Sequence, residues 1–372
     1  MNPKERFYAS VEYRTPDRPP LVPLAAQNPV WEKLYDSFGV KGYKEEKEYG
    51  KPEAKYYCYT PIAHEEFQRK IGEDFRRVEP RYTGPELSHY EDNTWEGFWG
   101  ERYKYSSLGW GEFVEDIYRP FANVQTPEEL DDFRMPSADW FDYSGVEALC
   151  DQYEGYAIFT GDAGHGDFIN GNAFCRGVEQ TLMDIALEDP VWIKLSNQRF
   201  DFFYEKIRRT LEAANGKIDV VYFGDDLGTQ LAPVINPDTF SKLIAPYYEK
   251  LFAMVHSFGA KTMMHSCGSV RHFISGLIDS GLDILDTVQT DAANMDIEDL
   301  HQEYYKKIVF CGTLSVQTLL PKGTPEEITA EIEKRKRLFA EGGIFIGPSN
   351  IMQNDMPIEN FVAMLKAIGT IA

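Results

Sequence analysis

From residue 150 onward, short apolar runs rich in β-branched residues alternate with longer amphipathic stretches, the pattern of repeated βα units wound around a parallel sheet. The runs predict strands at Tyr156–Thr160, Val220–Phe223, Lys261–Met264, Ile284–Val288, Ile308–Phe310 and Ile344–Ile346, with an earlier one at Leu21–Ala25. They read as continuous apolar segments because both faces of a strand inside an α/β barrel are buried. Helix starts stand between them. Thr324-Pro325-Glu326-Glu327 and Thr126-Pro127-Glu128-Glu129 each combine an N-cap threonine, a proline at the first helical position and a glutamate able to close a capping box. Asn236-Pro237 and Asp189-Pro190 open helices in the same way, and residues 326–340 carry one apolar stripe at Ile328, Ile332 and Leu338 or Phe339.

No solenoid repeat or low-complexity linker divides the chain, and 372 residues suit one barrel with insertions. The expected fold is therefore α/β, a single (β/α)8 TIM-type barrel over residues 1–372. Residues 26–150 hold an insertion and a helical lead-in. Within them, residues 90–118 crowd aromatic side chains with poor periodicity, as a folded N-terminal helical or aromatic insertion within the one domain would.

Charge narrows the function. With 38 Lys and Arg against 60 Asp and Glu, a net charge of −22 repels nucleic-acid backbones and anionic lipid. The N-terminal stretch has no apolar leader core and no run approaches the length of a membrane span, so a cytoplasmic, soluble protein is expected. Five scattered cysteines, Cys58, Cys150, Cys175, Cys267 and Cys311, do not form a disulfide framework.

The predicted strands end in polar residues and glycine: Gly161-Asp162-Ala163-Gly164-His165, Gly224-Asp225-Asp226, His265-Ser266-Cys267-Gly268, Gln289-Thr290-Asp291, Cys311-Gly312-Thr313 and Gly347-Pro348-Ser349-Asn350. In a barrel these ends converge on the rim that carries active sites. His265 and Cys267, two residues apart, offer half of a zinc site or pack as a hydrogen-bonded histidine beside a small thiol. Of the adjacent Asp225 and Asp226, one faces the mouth and the other holds loop amides. Cys311 either completes a metal site or packs as a small apolar residue. His165, Gln289 and Asn350 are candidate substrate-binding groups, and Asp225, Asp226 and His265 candidate catalytic ones.

The segments GDDLGTQ, NPDTFSKLIAPYYEKLF, HSCGSVRHFISGLIDSGLDILDTVQT, FCGTLSVQTLLPKGTPEEI and GGIFIGPSNIMQNDMPIENFVAML, together with the early RTPDRPPLVPL, resemble the uroporphyrinogen decarboxylase superfamily. That superfamily holds metal-free decarboxylases and cobalamin-dependent methyltransferases whose zinc is bound by a His-x-Cys-Gly motif and a later cysteine. His265-Ser266-Cys267-Gly268 matches the methyltransferase motif. The arginine-rich substrate motif of the decarboxylases has no counterpart in LVPLAAQNPVWEKL. The later cysteine falls at Asn350, a poor zinc ligand, leaving Asp225, Asp226 or Cys311 as the third donor; His265, Cys267 and Cys311 form the expected metal set. The resemblance implies transfer of a methyl group from a small methylated compound, a methoxylated aromatic among them, to a corrinoid protein. Zinc would assist, and cobalamin would be carried by that partner. A homodimer is compatible with this reading. The rival readings are a uroporphyrinogen decarboxylase-like decarboxylase, a methylcobamide:thiol methyltransferase and a non-catalytic corrinoid or small-ligand binder.

Overall fold

A computed structural model describes residues 1–41, 64–108 and 111–372; Cys58 lies outside the described residues. Seven parallel strands run in sequence order around a curled sheet: β1 (Phe75–Arg77), β2 (Ala157–Gly161), β3 (Val220–Gly224), β4 (Lys261–His265), β5 (Ile284–Val288), β6 (Val309–Leu314) and β7 (Ile344–Pro348). The architecture is the expected TIM-type barrel. Five of the six strands expected after residue 150 lie within one or two residues of their predicted bounds, and the sixth, β6, runs on to Leu314. Helices pack outside the sheet and leave Ile158, Val221, Met264, Leu285, Phe310 and Phe345 almost without exposure.

The expected strand at Leu21–Ala25 is reduced to isolated bridges, Leu21 to Ile346 in β7 and, just past the segment, Ala26 to Met352 beyond β7. Pro20 and Pro23 interrupt it, and a proline has no N–H to give a ladder. The segment nevertheless occupies the eighth position. Its Leu21 amide donates to Asp74 Oδ2 at 2.7 Å, at the start of β1, and the same carboxylate receives Arg6 at 2.5 Å and Arg18 at 2.7 Å. One buried side chain thus closes the seam that a strand ladder leaves open.

β1 escapes prediction because its three residues, Phe-Arg-Arg, carry too little apolar pattern. The aromatic insertion forms an antiparallel sheet of Trp95–Glu96, Arg102–Leu108 and Gly111–Tyr118, in which Tyr103 pairs with Asp116 and Tyr105 with Val114. It leans on the 25-residue helix Pro190–Ala214: Trp99 stacks edge-on against Phe202 and lies over the Arg199 guanidinium at 4.1 Å. The helix at Thr324 forms with its complete capping box, and Asn236 and Asp189 cap theirs. Thr126 opens only a 3-10 turn, Pro127–Asp132, with no bond from its side chain to a helix amide. Four acidic residues crowd that turn and Pro136 follows closely, so a full helix is not reached.

Candidate active site at the barrel mouth

β3 and β4 lie side by side, with Gly224 opposite His265, so the residues after each strand meet at the same end of the barrel. His265 closes β4. Cys267 follows one residue beyond Ser266, whose hydroxyl accepts the Leu227 amide at 3.0 Å. The turn then needs Gly268, which sits at φ +85°, where a Cβ would come within 2.6 Å of the Thr229 carbonyl. The chain past β3 and the chain past β4 can therefore approach closely enough for Asp226 to reach the His-x-Cys pair.

Asp226, His265 and Cys267 each present a donor atom, and the three atoms lie within 4.8 Å of one another. Asp226 Oδ1 is 3.6 Å from His265 Nε2 and accepts the Cys267 amide at 3.3 Å. Asn170 holds the other Asp226 oxygen at 2.8 Å. The His265 ring is fixed from behind by Asp286 in β5, with Nδ1 3.0 Å from its Oδ2. Asp286 also receives the Tyr222 hydroxyl and the Cys311 thiol.

Burial opposes protonation of His265, but its bonds to Asp286 and Cys267 and the charges of Asp286 and Asp226 override that and raise its pKa well above the ordinary value. Burial raises the Cys267 thiol, His265 pulls it down and Asp226 pushes it further up. The two carboxylates thus favour the proton on His265, while burial, aided by Asp226, favours the proton on Cys267. Imidazole, thiolate and carboxylate are all zinc donors, and three protein ligands with an open position form the usual catalytic zinc arrangement. The residues present fit that metal.

The adjacent aspartates divide their roles. Asp225, 1 % exposed, accepts the backbone amides of Phe168, Ile169 and Asn170 at 2.9, 2.8 and 3.0 Å, and the Tyr248 hydroxyl at 3.3 Å. Burial lifts its pKa to about 6 against the pull of those amides. It faces the start of the helix Asn170–Arg176, while Asp226 faces the mouth.

Of the expected metal set, the structure brings together His265 and Cys267; Asp226 is the third member in place of Cys311, which is fully buried with its thiol on Asp286. Gln289, nearly buried, accepts the Gly268 amide at 2.7 Å and so ties down the motif's turn. Asn350 turns its Oδ1 onto the next amide, Ile351, at 2.7 Å. His165 lies apart from the three donors, after β2, with Nε2 2.9 Å from the Lys206 ammonium and Nδ1 3.3 Å from Asp162. Sequence reasoning missed Asp286 and Tyr222. A carboxylate inside the apolar run Ile-Leu-Asp-Thr-Val was the available signal, since a buried strand carries one only with partners.

Among solved structures, a methyltransferase from Methanosarcina mazei superposes with a TM-score of 0.61 at 16% identity, over 99% of this chain and 98% of that one. A 3-keto-D-glucoside 4-epimerase from E. coli matches at a TM-score of 0.38 and 11% identity, over 68% of this chain and 95% of that one. The first likeness shows the whole-chain fold. No curated protein matches the sequence. Among the described residues, no helix is long and apolar enough to cross a membrane. Residues 174–371, more than half of the chain and all of β3 to β7, match the sequence pattern described as uroporphyrinogen decarboxylase (URO-D); the chain belongs to the uroporphyrinogen decarboxylase family.

Proposed function

We propose that the protein moves a methyl group from a small methylated substrate to a corrinoid protein, with zinc held by Asp226, His265 and Cys267. The observation that carries this reading is the convergence of nitrogen, sulfur and oxygen donors from the ends of two neighbouring strands on one side of the mouth. Zinc bound there would supply a Lewis acid for the departing heteroatom. A reduced corrinoid on the partner would supply the nucleophile for the methyl carbon, and the departing heteroatom would keep the bonding pair and take a proton from solvent.

The chain's own residues prepare this step. Asp286 fixes the His265 ring so that Nε2 faces the mouth, as carboxylates behind metal-ligating histidines do. Gln289 and Gly268 set the turn that aims Cys267. Asp225 holds three amides and so places Asn170, which in turn orients Asp226. A porphyrinogen decarboxylase needs cations for several carboxylates. The pocket after β1 and β2 holds two, Arg77 and Lys206, too few for several carboxylates, which supports the methyltransferase reading.

The test uses purified protein, zinc and a reduced corrinoid protein with small methoxylated and methylated compounds. Demethylation, read from the cobalt–methyl absorbance change, is expected, and His265→Ala and Cys267→Ala should each lower it about a hundredfold or more. Consumption of uroporphyrinogen that survives both substitutions would replace this reading with the decarboxylase.

A further inference from the structure

At the same end of the barrel, after β1 and β2, a second polar cluster lies under the aromatic insertion. Arg77 ends β1 and bonds Glu79 through Nε at 3.3 Å and Asp162 through Nη2 at 2.8 Å. Lys206, from the long helix Pro190–Ala214, reaches Glu79 at 3.3 Å and His165 at 2.9 Å. These groups line a cavity of about 40 Å³ whose walls include Phe98 of the insertion and Phe141.

The cavity offers donors and no free acceptor. Glu79 accepts Thr160, Gly161, Arg77 and Lys206, and Asp162 accepts Arg77, Gly164 and His165. Burial disfavours the charge on Glu79, but Lys206 and Arg77 outweigh it and hold its pKa down at about 2, so it does not donate. Nη1 of Arg77 has no hydrogen-bond partner among the described residues, while the Lys206 ammonium, 7 % exposed, is shared between Glu79, His165 and the face of the Phe141 ring at 4.7 Å. A buried cation with an unused proton seeks an oxygen.

Size and charge restrict that oxygen's owner. About 40 Å³ holds a group of a few atoms, such as the charged end of a larger molecule. Two cations already face two carboxylates, so a dianion such as phosphate would leave the pocket strongly negative, whereas a single negative charge adds the least and meets the unused Arg77 donor beside the Lys206 ammonium. The aromatic walls suit the apolar part of the same molecule. β1 and β2 stand about two strand spacings, roughly 10 Å, from β3 and β4 around the rim, a span that one ring can bridge. Tyr222 of β3 lies between, within electrostatic reach of both Asp162 and Asp286.

We infer that Arg77 and Lys206 receive a carboxylate on the non-reacting end of the substrate, which directs its methyl-bearing end toward Asp226, His265 and Cys267. This assignment rests on the methyl-transfer reading and narrows its substrate to methylated carboxylic acids such as methoxybenzoates. Unreactive benzoate is the direct probe, with benzamide as its neutral counterpart. In calorimetric titrations of the unaltered protein, benzoate should bind at least tenfold more tightly than benzamide. Arg77→Gln and Lys206→Met should abolish that preference while Lys206→Arg keeps part of it. In the corrinoid assay, 4-methoxybenzoate should exceed 4-methoxybenzamide tenfold or more in kcat/KM.

Equal binding of benzoate and benzamide, or none of either at millimolar concentration, overturns the subsite even if both substitutions unfold the protein. Demethylation of neutral methoxyarenes without benzoate binding would retain methyl transfer and remove the subsite. Selective benzoate binding with no methyl transfer from any methoxybenzoate would retain the carboxylate pocket and remove the reaction.

Discussion

Replacing Asp286 with asparagine keeps the side chain's shape and deletes the charge behind His265. In the protein, one Asp286 oxygen lies 3.0 Å from His265 Nδ1 and also receives Tyr222, with Cys311 bonded to the same carboxylate. An amide has one oxygen for these three donors, and its own NH2 group faces at least one of them. Two losses follow. The His265 ring is held less firmly, and a negative charge one imidazole away from the place where zinc would bind disappears. Across about 6 Å at an effective dielectric of about 20, a unit charge and a dication attract by several kcal/mol, of which solvent at the mouth screens a large part. Carboxylates in this role typically contribute 10–100-fold in metal affinity, or about 1.4–2.7 kcal/mol, and the low side-chain exposure of Asp286, 13 %, places it in the upper half of that range. Zinc competition against a chromophoric chelator at neutral pH measures the change directly. Asp286→Asn should bind zinc 30-fold or more weakly, with an unaltered circular dichroism spectrum. An affinity within twofold of the unaltered protein would refute the argument that Asp286 positions the ligand.

Cys267→Ala should lose stoichiometric zinc while Cys311→Ala retains it, as elemental analysis after zinc-supplemented purification will show; the reverse result would make Cys311 the ligand. Burial raises Glu73 to a pKa of about 8 from the 4.5 of the free group, with one oxygen unpaired. A raised carboxyl costs nothing below the unfolded value and its penalty grows until the folded value is passed. Glu73→Gln should therefore gain stability relative to the unaltered protein between pH 5 and pH 9, by up to about 5 kcal/mol. Urea melts showing the same difference at both pH values would contradict this. Thr324→Ala removes a hydroxyl that accepts the Glu327 amide at 3.2 Å and should cost about 1 kcal/mol in the same melts.

The strands with sustained apolar runs were legible because burial on both faces leaves an unbroken signature, and β3, β4, β5 and β7 appear almost as the pattern predicts. β1 was not, since its three residues contribute two arginines, and the pocket built on Arg77 and Glu79 vanished with it. The His-x-Cys motif was visible through its spacing, but which of Asp225, Asp226 and Cys311 lies beside it was not. Adjacency alone cannot say which of Asp225 and Asp226 turns to the mouth; the choice depends on the amides of residues 168–170, which come from a different loop. Cys311 resembled a ligand in sequence because it ends its predicted strand. In the protein β6 continues to Leu314, so Cys311 is an internal, fully buried residue.

The seam at Asp74 has a consequence for solubility. A closed barrel exposes no strand edges, yet the circle here is completed between the first segment and β1 by one carboxylate serving Leu21, Arg6 and Arg18. If residues 1–26 detach, β1 and β7 both become open edges with unpaired amides and carbonyls, the surface on which sheets add strands from other molecules. Asp74 then acts as a safeguard against self-association, and its removal would first be felt as turbidity on mild heating, before the rest of the barrel unfolds.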